Sequence, residues 1–326
     1  MNKGREYSST TGTESPTRPQ QGHVGIYYCL ALGISWAGWI PYAAQQTGIL
    51  HWQIPEEVPI FAQYGPLFAA LILIGIEGGL GGITKFFASF VNLRAGLQWY
   101  AVALLFSPAI AAVLIGLHAL HGTPVPTAAS LAGWQGHLAD YLRASSHSST
   151  GITHFLAQSA SRGGWQAALV YIGLSVANGG LSEEPGWRGY AFARLYPGRR
   201  ALVAALWVGI LWAFWHTGPD FWIAIFKSNW GALFIPISYL AVTLPLSVLF
   251  TWVFINSTGS LLPVILFHAS YNATFLFLTA IWSPGKPVVS LPEWVAAFLV
   301  AALLVIGIGR RSLLARNQHG GDTHPM

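Results

Sequence analysis

Charged residues are scarce in this sequence, and their scarcity excludes an ordinary soluble domain. Only 8% of the 326 residues are Asp, Glu, Lys or Arg, whereas soluble domains average about 25%. Apolar residues make up 53% of the chain. The 15 Trp and 12 Tyr suit the two interfaces of a bilayer, where both residue types are enriched. The composition therefore indicates an integral membrane protein.

Cysteine is almost absent as well, and no basic cluster is present. The single Cys29 excludes an intrachain disulfide and leaves the redox state of the compartment open. The net charge of +5 would suit nucleic acid, but the 16 basic residues are scattered between apolar runs and form no stripe that could follow phosphates. We therefore expect the lipid bilayer, and no nucleic acid, as a partner.

Eight apolar runs are near the length of about 20 residues that crosses a bilayer. They lie at about 24–42, 60–76, 97–117, 165–181, 201–216, 233–254, 262–281 and 294–308. The predicted fold is an all-α polytopic membrane bundle of about eight transmembrane helices within residues 23–308. The polar segment 1–22 and the basic segment 309–326 are predicted to be disordered cytoplasmic tails.

The distribution of Lys and Arg tests this count, because cytoplasmic loops carry an excess of both residues. Eight spans with a cytoplasmic N-terminus place twelve basic residues inside: Lys3, Arg5, Arg18, Lys85, Arg94, Arg188, Arg194, Arg199, Arg200, Arg310, Arg311 and Arg316. The four on the outside are Arg143, Arg162, Lys227 and Lys286. This split predicts that both termini lie in the cytoplasm.

The densest cluster of charge follows the fourth apolar run, in GGLSEEPGWRGYAFARL (179–195). An ionisable group near the bilayer centre costs about 2.5–3.5 kcal/mol on insertion scales, so such groups are expected to be functional. Glu184 and Arg188 are four residues apart, which places opposite charges on one helix face. Glu183 points about 100° away and is left without a local partner, as a general base with a raised pKa would be. Pro185 predicts a helix start or kink at Glu184, and Gly179 and Gly180 upstream strengthen the case for a break.

Two later apolar runs supply histidines. In LWVGILWAFWH, Trp212 and His216 share a helix face. In LLPVILFHASYNATF, His268 and Asn272 lie four residues apart in an otherwise apolar span, where both could donate to a developing oxyanion. Each piece has a plainer alternative: a solvated helix end at Glu183, an interfacial anchor at His216, and interhelical hydrogen bonds at His268 and Asn272. Together they predict acyl-transfer chemistry with an activated water.

The motifs EEPGWRG, WAFWH and HASYN, in this order within residues 165–280, resemble those of the CPBP family. This family comprises intramembrane glutamic endopeptidases, among them CAAX prenyl proteases and bacteriocin-processing, Abi-like relatives. The run TGSLLPVILFHASYN is especially similar to bacterial members. The resemblance implies an eight-span helical protease of a prokaryotic cytoplasmic membrane, with a site that opens toward the cytoplasm.

Carried over by motif position, the resemblance implies a catalytic role for four residues. Glu183 would activate water, His216 would be its partner, and the oxyanion would be stabilised by His268 and Asn272. Glu184 and Arg188 would be a structural pair that orients the site. Trp212 stands where phenylalanine is usual in the family, a change expected to alter the shape of the pocket more than its chemistry.

The predicted function is hydrolysis of a peptide or protein substrate at the membrane, with lipidated peptides among the candidates and with no metal or other cofactor. Two alternatives stay open. A zinc-dependent membrane protease would use Glu183 or Glu184 with His216 and His268, although the sequence lacks an H-E-x-x-H helix. A non-catalytic scaffold or bacteriocin-immunity-type protein would keep the same buried polar residues for packing and partner binding.

Overall fold

A computed structural model describes residues 23–90, 95–123, 125, 127–145, 151–282 and 289–315. The predicted tail 1–22, the part 316–326 of the predicted tail 309–326, and the basic residues Arg94 and Lys286 lie outside these ranges. In the described part of the C-terminal tail the expectation of disorder was wrong, because Arg310–Leu313 is helical. The α-helices are α1 (His23–Gln46), α2 (Glu57–Ala62), α3 (Gly65–Phe90), α4 (Leu97–Leu120), α5 (Trp134–Ser145), α6 (Ile152–Ser161), α7 (Gly164–Ser175), α8 (Ser182–Glu184), α9 (Ala193–Leu195), α10 (Ala201–Trp215), α11 (Pro219–Phe226), α12 (Ile235–Asn256), α13 (Leu261–Leu276), α14 (Leu291–Ile308) and α15 (Arg310–Leu313).

The all-α membrane bundle is confirmed. Among the described residues, six helical stretches are long and apolar enough to cross a bilayer: α1, α3, α4, residues 230–256, residues 261–281, and α14. A seventh span results if α10 and α11, which bend by 49° at a short break, are counted together. Six or seven spans are roughly consistent with the predicted eight. The difference arises at 165–181, where α7 ends at Ser175 and wide π-type turns follow.

Helix packing follows the rules of membrane interiors, where small residues let backbones approach. α4 turns Ala103, Ser107 and Ala111 inward and packs against α13, while Leu105 and Leu117 on other faces stay exposed. Such outward apolar side chains suit lipid contact. The bundle therefore buries small residues between helices and presents large apolar ones outside.

Two buried hydrogen bonds join α10 to α12. The Thr243 hydroxyl donates to the Gly209 carbonyl at 2.8 Å, and the Ser247 hydroxyl donates to the Ala205 carbonyl at 2.7 Å. Interhelical bonds of this kind contribute about 0.6 kcal/mol each in membranes. They fix the register of α10, which carries Trp212 and leads to His216.

The segment between α4 and α7 contains two α-helices, α5 and α6. α5 and α6 pack against each other and against α7, through buried residues that include Leu138, Leu142, Ala157 and Ala167. On α5 the buried apolar side chains recur at helical spacing. Ser, His and Gly are frequent in the surrounding sequence and obscure this pattern. The two helices form one wall of the cavity described below.

Candidate active site

Glu183 lies on the segment 176–195 between α7 and α10, which is outside the candidate spans. The helix breaks at Asn178 (φ −85°, ψ 108°) and Gly179 (φ 93°, ψ −69°), upstream of the predicted kink at Glu184. Pro185 does not interrupt it, since its φ of −60° is helical and wide π-type turns run over Pro185–Phe192. Such single-turn expansions are frequent at functional sites. The break therefore sits one turn before the carboxylates.

Gly179 brings this break into contact with α13. A Cβ on Gly179 would lie 2.5 Å from His268 Nε2 and 2.6 Å from Asn272 Nδ2, closer than real Cβ atoms approach. The positive φ independently favours glycine, because other residues are strained there. Glycine is thus required at this position for both its backbone angle and its lack of a side chain.

Glu184 connects the segment to α13. Its Oε2 lies 3.0 Å from Arg188 Nη1, and its Oε1 lies 2.7 Å from His268 Nδ1. Glu184 and Arg188 are fully buried. The contact between Glu184 and Arg188 that the i,i+4 spacing predicts is present, whereas the bond to His268 links residues 84 apart and was not predicted. A buried carboxylate with two cationic or polar partners is held in one geometry.

Glu183 has a partner that the sequence did not reveal. Trp212 donates its indole N–H to Glu183 Oε2. The donor lies on the neighbouring α10 and is distant in sequence, so Glu183, which has no local partner, receives one through the fold. Phenylalanine at position 212 would lack this donor. Burial raises the pKa of Glu183 to about 7, and the Trp212 hydrogen bond acts in the opposite direction.

His216 caps the C-terminal end of α10. Its Nδ1 lies 2.8 Å from the Trp212 carbonyl oxygen, so Nδ1 carries the hydrogen and Nε2 keeps a lone pair in the neutral ring. The ring stacks on Tyr239, with centroids 4.3 Å apart and planes at 21°. In the described ranges no hydrogen bond joins His216 to Glu183, so the predicted partnership remains a proposal. Tyr239 was not identified from the sequence.

Asn272 lies one turn after His268 on α13 and reaches the helix break. Its Nδ2 donates to the Asn178 carbonyl oxygen at 2.9 Å, which satisfies a backbone group freed by the break. One amide N–H of Asn272 is thereby used, and the second is available to another acceptor. Both asparagines also line a cavity.

This cavity has a volume of about 700 Å³ and a partly polar lining. Besides Asn178 and Asn272, its walls include Glu56, Asp220 and Tyr42. Glu56 accepts a hydrogen bond from the Thr153 hydroxyl at 2.8 Å, so α6 helps to shape it. The cavity reaches Asn272, which lies one turn after His268 on α13.

The cavity and the basic loops lie at opposite ends of the bundle. α1 begins at His23, which bonds to Glu77, and Glu77 also bonds to Arg194. The other end of α1 carries Tyr42, a cavity residue, and 24 helical residues extend about 36 Å at about 1.5 Å each. The described start of α1 and the cavity therefore lie at opposite ends of this helix.

The described residues contain no group of three His, Cys, Asp or Glu side chains that could hold a metal ion. Glu184 binds Arg188 and His268, and His216 binds a backbone carbonyl. The zinc alternative therefore lacks a ligand set in this part of the chain.

A helical membrane protein with a buried Glu, Arg and His cluster is the class that the fold and the site define. Residues 164–274 match the family model for type II CAAX prenyl endopeptidase Rce1-like proteins. A curated relative, CAAX prenyl protease 2 of Methanococcus maripaludis, is 31% identical over 130 residues, which cover 38% of this chain and 45% of the relative. The chain thus matches less than half the length of this relative. Both comparisons support the family prediction from the three motifs: residues 164–274 are similar to the CAAX protease family.

Proposed function

We propose that the protein is an intramembrane endopeptidase of the glutamic type, in which Glu183 activates the attacking water. The observation that carries the proposal is the buried cluster of Glu184, Arg188 and His268, with the neighbouring Glu183 also buried. This cluster lies within the residues that match an endopeptidase family. A carboxylate that is both buried and slightly accessible, as Glu183 is at 7%, suits a general base.

The contacts of the cluster divide the roles between its two carboxylates. Arg188 compensates the Glu184 carboxylate at 3.0 Å, which leaves Glu183 as the carboxylate that takes a proton from water. His268 Nδ1 lies 2.7 Å from Glu184 Oε1, so Nε2 is the ring nitrogen left to donate to the oxyanion.

Hydrolysis then follows in balanced steps. Glu183 takes a proton from water as the water oxygen attacks the peptide carbonyl carbon, with the water oriented by the His216 Nε2 lone pair. The resulting oxyanion accepts hydrogen bonds from His268 Nε2–H and from the second N–H of Asn272. The carbon–nitrogen bond breaks as Glu183 returns the proton to the leaving amine. The products are a carboxylic acid and an amine.

The substrate class and the setting complete the proposal. The curated relative is named a prenyl protease, so a prenylated peptide with a CAAX terminus is the first substrate to test, beside an unmodified peptide. The membrane is a prokaryotic cytoplasmic membrane. The end that carries Arg194, Arg199, Arg200 and Arg310 faces the cytoplasm, and the cavity opens on the other side.

The test uses the purified full chain in proteoliposomes with a quenched fluorescent farnesylated CAAX peptide and its unmodified counterpart. Wild type is expected to cleave at least one peptide, and Glu183→Gln is expected to lose activity. Glu57→Gln, on α2 outside the site, is the matched control and keeps activity. Cleavage that survives Glu183→Gln unchanged contradicts the mechanism. Loss on chelation would favour zinc, and binding of both peptides without cleavage would favour a scaffold.

A further inference from the structure

Trp212 contacts most of the polar groups in the site. It is 2% exposed and donates its indole N–H to Glu183 Oε2. Its ring centroid lies 5.4 Å from that of His268 and 5.6 Å from that of His216. The Arg188 guanidinium carbon lies 5.1 Å from the same ring, a distance typical of cation–π contacts. One side chain therefore couples α10, the Glu183 segment and α13.

The indole N–H has a specific chemical consequence for Glu183. It occupies one carboxylate oxygen, Oε2, so the other oxygen is left for water. A hydrogen bond to an ionised carboxylate also favours the ionised form over the protonated form. Phenylalanine would keep an aromatic ring at this position and would lack the N–H donor.

We propose that Trp212 is a positioning residue, whose indole N–H fixes the Glu183 carboxylate and favours its ionised form for attack by water. The proposal rests on the proposed function and deepens it. It distinguishes this chain from relatives with phenylalanine at the position, because such relatives lack the donor. Trp212 does not itself contact the reacting bond in this scheme.

Other ionisable groups also surround Glu183, and they stay in place when Trp212 is changed. They are Glu184 and Arg188 on its own segment, Tyr27 on α1, His216 on α10, Tyr239 on α12 and His268 on α13. From α3, Glu77 is bound to Tyr190 and Arg194. A shift in pH dependence on Trp212→Phe would therefore report the lost N–H.

The test measures kcat/KM between pH 5 and pH 9 on the peptide that wild type cleaves. A general base works when deprotonated, so wild-type activity rises as pH increases through the pKa of Glu183, about 7. Trp212→Phe is expected to move this acid limb to higher pH by about one unit. At a fixed acidic pH, kcat/KM would then be about tenfold lower than in wild type. Activity at high pH then approaches wild type.

Trp39→Phe is the matched control, because Trp39 is also buried and donates its N–H to a backbone carbonyl, that of Pro59. Its acid limb should coincide with that of wild type. An unshifted limb in folded Trp212→Phe overturns the proposal, and so does an equal loss at every pH, which would indicate ring packing alone.

An activity-free measurement separates this inference from the proposed function. The infrared carboxyl band of Glu183, identified by its loss in Glu183→Gln, should titrate at higher pH in Trp212→Phe than in wild type. If wild type cleaves neither peptide, the proposed function fails while this titration still tests the Trp212 bond. An unchanged titration overturns the inference even if wild type is an active protease.

Discussion

Two polar clusters lie along residues 182–195, and they use similar residues in different surroundings. The site cluster joins Glu184, Arg188 and His268 with almost no exposure. The second, which we call the basic-end cluster, joins Glu77 to His23, Tyr190 and Arg194, and its charged side chains are 21–31% exposed. Exposed pairs are screened and contribute little, whereas buried charges depend on their partners. The two clusters therefore differ in how strongly each charge depends on its partner.

The largest expected effect comes from removing a cation from each cluster. Arg188→Met leaves Glu184 buried beside His268 without its guanidinium, and we expect a loss of about 3–5 kcal/mol in stability together with loss of cleavage. Arg194→Met should cost less than about 1 kcal/mol, because the pair it breaks is partly solvated. Thermal unfolding in detergent measures both. Equal destabilisation by the two substitutions would remove the distinction between the clusters.

Gly179→Ala should impair activity strongly while leaving the bundle folded. The new methyl group would collide with His268 Nε2 and Asn272 Nδ2, and an alanine at this positive φ costs about 1–2 kcal/mol. We expect kcat to fall by about a hundredfold, as displaced oxyanion donors do in other enzymes. Gly25→Ala is the control, since a Cβ there meets nothing within 4 Å. Normal kcat in Gly179→Ala would show that this close approach has no role.

Single cysteine substitutions, which should perturb the protein least, test which end of the bundle faces the cytoplasm. In a Cys29→Ser background, Gln53→Cys marks the loop after α1, and Ala315→Cys marks the basic end, both at exposed positions. A membrane-impermeant maleimide added to intact cells should label Gln53→Cys and not Ala315→Cys. The reverse pattern would place the cavity in the cytoplasm and the termini outside, in agreement with the resemblance and against the charge distribution.

The spacing of residues within short windows and the length of the apolar runs predicted several features of the structure. The membrane bundle, the contact of Glu184 with Arg188, and the family follow from patterns within short windows. The helix break was predicted at Glu184, whereas it lies at Asn178 and Gly179. Pro185 suggested the wrong position, because the wide turns over Pro185–Phe192 accommodate a proline without a break. The bonds from Trp212 to Glu183 and from His268 to Glu184 join distant segments, so spacing could not reveal them.

The most direct measurement compares Glu183, which adjoins the site cluster, with Glu77 of the basic-end cluster. Cleavage of the farnesylated and unmodified peptides is measured in proteoliposomes for wild type, Glu183→Gln and Glu77→Gln, all checked for folding by thermal unfolding. We expect Glu183→Gln to lower kcat by about 10²–10⁴, the usual range for loss of a general base, while Glu77→Gln stays within a few-fold of wild type. Retention of wild-type kcat by Glu183→Gln would show that Glu183 is not the general base.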